Sequence, residues 1–311
     1  MKNSIKKVLD HHQIRNKASQ KQEFANWLES HLQDHDYEIT RHEYKRNRAN
    51  LIVGDYKTAE IILTAHYDTP PTAIIPLGSP IGNIFQFIFG QFFFILPLAP
   101  ILILPYLAPQ SAFLSVRLSV ILNVLNVLAF LWLIQMVMGF ANKNNANDNT
   151  SGVATLISIL EDLPKEQRKK VCVVFFDEEE KGLIGASCFK NDHKGDIKNK
   201  PFINFDCVAN GKTLIFACKK AFRDSKYYNL LTESAQTKIE PKRKALIGTA
   251  WQYIIPSDQI LFKNAVGVVS AYKAPIIGHY LKNIHNKSDT KFDNENIELL
   301  TATLLNFIER I

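Results

Sequence analysis

Histidines and carboxylates occur together in five short polar segments of this 311-residue chain. Imidazole nitrogen and carboxylate oxygen both bind divalent zinc, and a catalytic ion also leaves room for water. In chain order the segments are His66-Tyr67-Asp68, Asp148-Asn149-Thr150-Ser151-Gly152, Glu178-Glu179-Glu180, Asn204-Phe205-Asp206 and His285-Asn286-Lys287-Ser288-Asp289-Thr290. Any one of them alone is weak support for a site, but together they predict a metal-dependent hydrolase.

A pair of metal ions needs one carboxylate between the ions and further ligands on either side. The predicted metal ligands are His66, Asp148, Glu180, Asp206 and His285. In this arrangement Asp148 lies between an ion held by His66 and Asp206 and a second ion held by the other two residues. Glu179 stands next to a predicted ligand, where its carboxylate can remove a proton from water between the ions.

The elements that position these side chains are recognisable as apolar runs. We predict strands at 38–40, 50–53, 61–64, 171–176, 202–205, 213–216 and 266–271, and helices at 20–33, 152–163, 182–189 and 295–308. Each of the first four polar segments follows or closes a strand or opens a helix, which is where an open α/β sheet places its active site. The alternation of strands and helices predicts an α/β fold.

A long apolar insertion interrupts this pattern. Between Asp68 and Lys143, Arg117 is the only Lys, Arg, Asp or Glu. Two runs, at about 84–107 and 118–140, each reach the roughly 20 apolar residues that cross a bilayer as a helix, and neither has the polar stripe of an amphipathic core helix. We predict a membrane-associated helical hairpin at 81–140 and a catalytic domain formed by 1–80 and 141–311. A hairpin buried in a larger soluble core is the alternative.

Net charge and cysteine content limit the cellular compartments and the binding partners that we expect. Because the regions rich in Lys and Arg lie outside the hairpin, the positive-inside rule predicts a catalytic domain that faces the cytoplasm. The net charge of +7 comes without a nucleic-acid motif, so we expect no nucleic acid partner. The four cysteines form no C-x-x-C pair, and we expect free thiols in a reducing compartment. The basic N-terminus lacks the apolar core of a signal peptide, so we expect no secretion by that route.

In their order the five segments resemble the motifs of the peptidase M28 family, the co-catalytic zinc aminopeptidases. The family pattern is H-x-D, D-x-x-S-G, E-E-x-G-L, a strand that ends in Asp, and H-x-x-x-D-T. Its third motif is matched by Glu179-Glu180-Lys181-Gly182-Leu183, which makes Glu178 a spectator. The match spans nearly the whole chain apart from the apolar insertion. It implies a mixed central sheet flanked by helices and two zinc ions, for which manganese or cobalt can substitute.

By this resemblance the protein hydrolyses the N-terminal peptide bond of a peptide that has a free amino terminus. Asp148 is then the bridging ligand, and Asp68 is a catalytic residue that orients His66. Hydroxide between the two zinc ions attacks the peptide carbonyl, and Glu179 acts as general base and then passes the proton to the leaving amine. The resemblance also implies a cis peptide bond between Asp148 and Asn149.

Two other functions are compatible with the same scaffold. A glutaminyl-cyclase-like acyltransferase would use one zinc ion and would not need His66 together with Asp206. A non-catalytic membrane receptor or scaffold usually loses metal ligands.

Within the site, His279 is an alternative to His285, although the following Asp289-Thr290 favours His285. In Ser257-Asp258-Gln259, glutamine replaces the histidine of the family's usual S-D-H segment.

Overall fold

The computed structural model describes residues 1–73, 77–95, 113–275 and 277–311, and a single mixed β-sheet lies at its centre. The strands are β1 (Ile39–Lys45), β2 (Arg48–Val53), β3 (Ile61–His66), β4 (Leu77–Ile81), β5 (Val171–Phe176), β6 (Phe202–Phe205), β7 (Thr213–Cys218), β8 (Lys244–Thr249), β9 (Ala265–Ala274) and β10 (Gly278–Ile284). Their order is β1-β2-β5-β3-β6-β9-β10-β4, with β7 paired to β9 and β8 paired to β7.

Helices cover both faces of this sheet, as expected for an α/β fold. They are α1 (Asn3–His11), α2 (Ala18–Gln33), α3 (Ile84–Ile95), α4 (Phe113–Met138), α5 (Thr150–Asp162), α6 (Ile184–Asp192), α7 (Lys194–Ile197), α8 (Lys220–Arg223), α9 (Tyr227–Lys238) and α10 (Asn294–Glu309). On one face Phe24, Leu156 and Phe307 belong to the same buried cluster. On the other face Phe189 of α6 packs into a second cluster with Phe176.

The parallel strands in the middle of the sheet are buried along their whole length. β3 pairs in parallel with both β5 and β6, and β6 pairs in parallel with β9. Every residue of β3, β5 and β6 is buried, because helices cover both faces and leave no side of these strands to water. The carboxyl ends of β3, β5 and β6 therefore meet at one edge of the sheet.

Most predicted elements are confirmed, and those at 171–176 and 202–205 coincide with β5 and β6. Strands β4, β8 and β10 and helices α1, α7, α8 and α9 were not predicted. β4 is an edge strand that contains Pro80, and proline is tolerated at an edge because no neighbour needs its missing amide proton. The four cysteines are free thiols, as predicted.

The predicted hairpin at 81–140 is not confirmed. The apolar runs form α3 and α4, and the expected turn between them lies outside the described residues. Among the helices that the structure describes, none is both long enough and apolar enough to cross a membrane. Large apolar side chains of both helices are nevertheless exposed, including Phe85 (80%) and Phe130 (61%).

Candidate metal centre

Three of the polar segments lie at the carboxyl ends of neighbouring parallel strands. His66 is the last residue of β3, and Asp206 directly follows β6. Glu179 and Glu180 begin a short 3₁₀ helix (Glu179–Lys181) just after β5. Because β5, β3 and β6 are adjacent and parallel, residues far apart in the sequence meet at this edge.

Asp148 and His285 complete the cluster from two loops, one before α5 and one after β10. His66 Nε2 lies 3.5 Å from Asp148 Oδ1, and His285 Nε2 lies 3.0 Å from Asp148 Oδ2. His66 Nε2 is also 3.7 Å from Asp206 Oδ1, and His285 Nε2 is 3.4 Å from Glu180 Oε2. The structure thus brings all five predicted ligands together, with Asp148 between the two histidines.

In the described part of the chain, the ligand atoms at this cluster form three overlapping groups, and within each group they lie within 4.8 Å of one another. The groups are His66, Asp148 and Asp206; Asp148, Glu180 and His285; and His66, Glu179 and Glu180. Asp148 belongs to the first two groups. One carboxylate is therefore shared by two candidate metal positions.

Some buried oxygens of this cluster have no protein donor. Within the described residues, Glu180 Oε1 and Asp206 Oδ1 are buried without a hydrogen-bond partner. A buried carboxylate oxygen without a donor is costly, and a divalent cation provides the missing positive charge. The donor set, imidazole nitrogens with carboxylate oxygens, is one that zinc accepts. The residues present therefore fit a metal centre.

The ionisation of the cluster agrees with a cation site. Loss of water contact raises the pKa of the Glu179 and Glu180 carboxyls well above the ordinary value, against the opposing effect of His66. Burial by itself lowers the pKa of His66, but Glu179 and Asp206 outweigh burial and raise this pKa well above its ordinary value. Ligands bind a metal in their deprotonated form, so metal binding at this cluster competes with protons.

Asp68 connects His66 with the turn that carries the two glutamates. Its carboxylate oxygens accept hydrogen bonds from the backbone amides of Glu179 (3.0 Å) and Glu180 (3.3 Å). Asp68 Oδ1 is 3.4 Å from His66 Nδ1, the ring nitrogen that faces away from the other ligands. This is the position from which a carboxylate orients a metal-binding imidazole.

Asp289 fixes the loop that carries Asp148 through two hydrogen bonds. The carboxylate oxygens of Asp289 accept hydrogen bonds from the backbone amides of Asn147 and Asp148, each at 2.9 Å. The peptide bond between Asp148 and Asn149 is cis, as predicted. The Asn149 side chain accepts a hydrogen bond from the Gly152 amide (2.9 Å) and so caps α5. The sequence analysis used Asp289 only to favour His285 as a ligand. The position of Asp289 in the same motif was the signal that could have indicated its own structural role.

Sequence reasoning missed Arg15, a fully buried arginine behind the metal-ligand cluster. Its guanidinium donates to the backbone oxygens of His12 and Tyr67 and, at 3.3 Å, to the hydroxyl of Thr150. Burial lowers the pKa of Arg15 to about 9, although Asp68 opposes this shift. Tyr67 lies between His66 and Asp68, so Arg15 joins the end of β3 to the start of α5, each next to a predicted ligand. No motif marks this residue in the sequence.

The Ser257-Asp258-Gln259 segment brings another carboxyl group to the site. Asp258 is fully buried, and both carboxylate oxygens lack a hydrogen-bond partner among the described residues. Burial, together with the charges of Asp68 and Asp206, raises the pKa of Asp258 to about 8, against the opposing effect of His66. Gln259 instead serves the structure, because its side chain accepts from Asn204 (3.0 Å) and donates to the Ile255 carbonyl (2.7 Å).

His279, the alternative to His285, lies in β10 and belongs to none of the three groups. Its ring packs edge to face against that of Tyr253, with the centroids 6.0 Å apart. Glu178 points away from the cluster and pairs with Arg48 at 2.5 Å and Lys181 at 3.1 Å. The register that selects Glu179 and Glu180 therefore agrees with the geometry.

Comparison with solved structures gives several proteins of the same fold. The glutaminyl cyclase of Porphyromonas gingivalis superposes with a TM-score of 0.60 at 13% identity, covering 98% of this chain and 95% of that one. The LapA aminopeptidase of Legionella pneumophila has a TM-score of 0.53 at 13% identity, covering 98% and 69%. A glutaminyl cyclase of Macrostomum lignano also reaches 0.53, at 12% identity, covering 99% and 88%. At such identities the likeness concerns the fold alone.

Sequence comparison identifies the family. No curated protein matches the chain significantly. The family model described as Peptidase family M28 matches residues 136–308, which is more than half of the chain and includes four of the five polar segments. The chain belongs to peptidase family M28.

Proposed function

We propose that the protein is a metal-dependent aminopeptidase that releases N-terminal residues from peptides with a free amino terminus. The observation that carries the proposal is the sharing of Asp148 between two groups of potential ligands, with Glu179 beside them. Membership of family M28 supports a metal-dependent peptidase, and a solved aminopeptidase has the same fold.

In this proposal two zinc ions are held by the five residues His66, Asp148, Glu180, Asp206 and His285. When bound, the metal lowers the pKa of water and polarises the peptide carbonyl. Manganese or cobalt also suits a site so rich in carboxylates. The residues of the chain then have separate tasks, since Asp68 holds the ring of His66 and Asp289 holds the loop of Asp148.

In this proposal Glu179 transfers a proton from the attacking water to the leaving amine. Its carboxylate is within 4.8 Å of ligand atoms of His66 and Glu180, so it is close to the reacting atoms without being needed as a ligand. The raised pKa of Glu179 suits a group that takes a proton from water and returns it to the leaving amine.

The decisive experiment compares Glu179→Gln with the matched variant Glu178→Gln on a mixed peptide library. We expect Glu179→Gln to lower the rate of N-terminal residue release by roughly 10²–10⁴-fold while bound zinc stays unchanged. Glu178 is ion-paired with Arg48 outside the cluster, so its variant should retain the rate. Equal rates in both variants would contradict the role of Glu179, and metal-independent release would contradict the metallopeptidase itself.

A second candidate function is the cyclisation of N-terminal glutamine. It is favoured by the likeness to the glutaminyl cyclase of Porphyromonas gingivalis, which covers 95% of that chain. Against it, a one-zinc cyclase would not need His66 together with Asp206, whereas both residues lie in the cluster. Incubation with a peptide that begins with glutamine distinguishes the two by mass spectrometry, because cyclisation expels ammonia and keeps every residue, whereas hydrolysis removes the first residue.

We also propose that α3 and α4 attach the protein to a membrane, with the catalytic domain on the cytoplasmic side. Exposed apolar residues on these helices support attachment, among them Phe85, Val124 and Phe130, because large exposed apolar patches often mark interaction surfaces. Replacing these three residues by glutamine should abolish flotation with lipid vesicles. Ile260→Gln, at an exposed position outside these helices, should leave flotation intact. Flotation of both variants would contradict the proposal.

A further inference from the structure

A cavity of about 1010 Å³ lies at the ends of β7 and β8, away from the metal-ligand cluster. β7 runs antiparallel to β9, and β9 runs parallel to β6. Cys218 at the carboxyl end of β7 pairs with Val266, next to Ala265, which pairs with Phe202 at the beginning of β6. The cavity is therefore at the sheet edge opposite to Asp206.

The lining of this cavity is strongly basic. Its free cations are Lys190, Lys194, Lys198, Lys220, Arg223 and Lys263. Across the described ranges, none of these six side chains donates a hydrogen bond or forms an ion pair with another residue. Among the described residues of the lining, Asp224 is the only acidic one. Cations gathered around a concave surface with so little counter-charge favour an anionic ligand.

Two further lysines of the lining are engaged in the structure and are not free to bind a ligand. Lys219 Nζ donates to the carbonyls of Ile260 (3.0 Å) and Phe262 (2.6 Å), and Lys200 Nζ donates to that of Ala59. Burial and then the neighbouring Lys190 ammonium lower the pKa of Lys219. Lys200 and Lys219 thus stabilise the wall of the cavity, whereas the six free cations are available to a ligand.

The cavity also offers apolar and aromatic surface. Buried Ile197 and Phe262 contribute to its wall. Trp251, on the turn after β8, is 78% exposed although it belongs to the lining. The turn is anchored by a hydrogen bond from the Ala250 amide to the Cys218 carbonyl (2.9 Å). An exposed indole beside a basic cavity is suited to stack on a flat ring.

We propose that this cavity binds a small polyanion that carries a flat ring, of the nucleoside polyphosphate class. The lysines and the arginine hold the phosphates as charge-assisted donors, and Trp251 stacks on the base. The volume is at the upper end of the usual range for small-molecule sites, about 300–1,000 Å³. This inference does not depend on the proposed peptidase activity, because the two sites lie at opposite edges of the sheet.

Calorimetric titration of the intact protein with ATP and with inorganic triphosphate, both as magnesium complexes, tests the proposal. We expect ATP to bind more tightly than triphosphate. Trp251→Ala should lower the affinity for ATP by about tenfold and change the affinity for triphosphate little. Lys220→Ala/Lys263→Ala should weaken both probes by at least about tenfold, and higher salt should weaken both further. Lys238→Ala, at an exposed lysine outside the cavity, is the matched control and should change neither.

Several results would overturn the proposal. These are no binding of either probe at millimolar concentration, ATP binding that Trp251→Ala leaves unchanged, and an equal loss in the Lys238→Ala control. Tighter binding of hexaglutamate than of ATP would instead identify a site for acidic peptides. All substituted side chains except the Trp251 indole are lysines on the surface, and the unfolding temperature of each variant verifies that the fold is intact.

Discussion

Arg15 is an example of a single residue that supports the metal-ligand cluster without belonging to it. The fully buried guanidinium reaches the Tyr67 carbonyl next to His66 and the Thr150 hydroxyl at the start of α5. A buried charge persists only where it is satisfied by hydrogen bonds. Since both partners lie within two residues of a predicted metal ligand, we expect the placement of the ligands to depend on this arginine.

Replacing Arg15 by lysine tests this dependence. Lysine keeps the charge but loses the fork of donors that reaches several acceptors at once. We expect Arg15→Lys to weaken zinc binding by about 10–100-fold and to lower the unfolding temperature. Chelator competition and thermal unfolding measure the two effects. Arg168→Lys is the control, because Arg168 also donates to a backbone carbonyl, that of His35, but near the surface. Equal zinc affinity of Arg15→Lys and the native protein would contradict the prediction.

At the scale of elements, three helices are tied together by one carboxylate at some distance from the site. Glu161 of α5 lies 2.8 Å from His31 Nε2 of α2 and 3.2 Å from Lys2 Nζ, just before α1. Burial by itself raises the pKa of Glu161, but the hydrogen bond with His31 and the Lys2 ammonium outweigh burial and lower this pKa to about 2. α1 and α2 are thereby fixed against α5, which begins at the metal-ligand cluster.

This depressed pKa predicts a pH dependence of stability. A carboxyl group with a lower pKa in the folded state contributes stability above its unfolded pKa of 4.5, and the contribution is lost as the pH falls towards about 2. We expect Glu161→Gln to lower the free energy of unfolding at pH 7 by roughly 1–2 kcal/mol, between exposed and buried ion pairs. Denaturant unfolding should show the difference from the native protein vanish near pH 2.

The neighbouring Asp162 is the control for that prediction. Asp162 also pairs with Lys2, at 2.7 Å, but its side chain is 45% exposed. Asp162→Asn should therefore change the free energy of unfolding by less than about 1 kcal/mol. If Asp162→Asn lowered the free energy of unfolding more than Glu161→Gln, the contact of Asp162 with Lys2 would stabilise the packing of these helices more than the partly buried carboxylate of Glu161 does.

For the whole molecule, the metal-ligand cluster couples metal binding to folding. Carboxyl groups gathered in one buried place repel one another when they ionise, and a cation removes this repulsion. We expect zinc at 100 times its dissociation constant to add about 2.7 kcal/mol to the free energy of unfolding. In a chain of this size that corresponds to a rise of several degrees in the unfolding temperature, and chelation should reverse it.

Glu180→Gln isolates the contribution of the cluster to this effect. The substitution removes a charge from a buried carboxyl group that has one unpartnered oxygen. We expect the metal-free variant to be at least as stable as the metal-free native protein, and the gain on adding zinc to be much smaller. Scanning calorimetry with and without chelator measures both quantities. An unchanged gain in Glu180→Gln would mean that zinc stabilises the fold from a different place.

Local sequence determined much of this architecture. β5 and β6 coincide with their predicted bounds, because a short apolar run buried on both faces leaves one conformation that satisfies its backbone. β4 and β10 were not predicted, since β4 contains Pro80 and β10 alternates poorly, and both depend on pairing with each other. Residues such as these become strands only through partners that lie far away in the chain.

The sequence by itself determined which residue types are present at the site and their order along the chain. The five predicted ligands, the Glu179 register and the cis bond after Asp148 all follow from motifs, because each motif is local. The tertiary structure decided that Asp148 is shared between two groups, that Arg15 and Asp289 hold the ligand loops, and that Asp258 approaches with unpartnered oxygens. The physical reason is that these contacts join segments far apart in the chain, such as Asp148 with Asp289 and Arg15 with Thr150, and only burial against the common sheet brings such segments together.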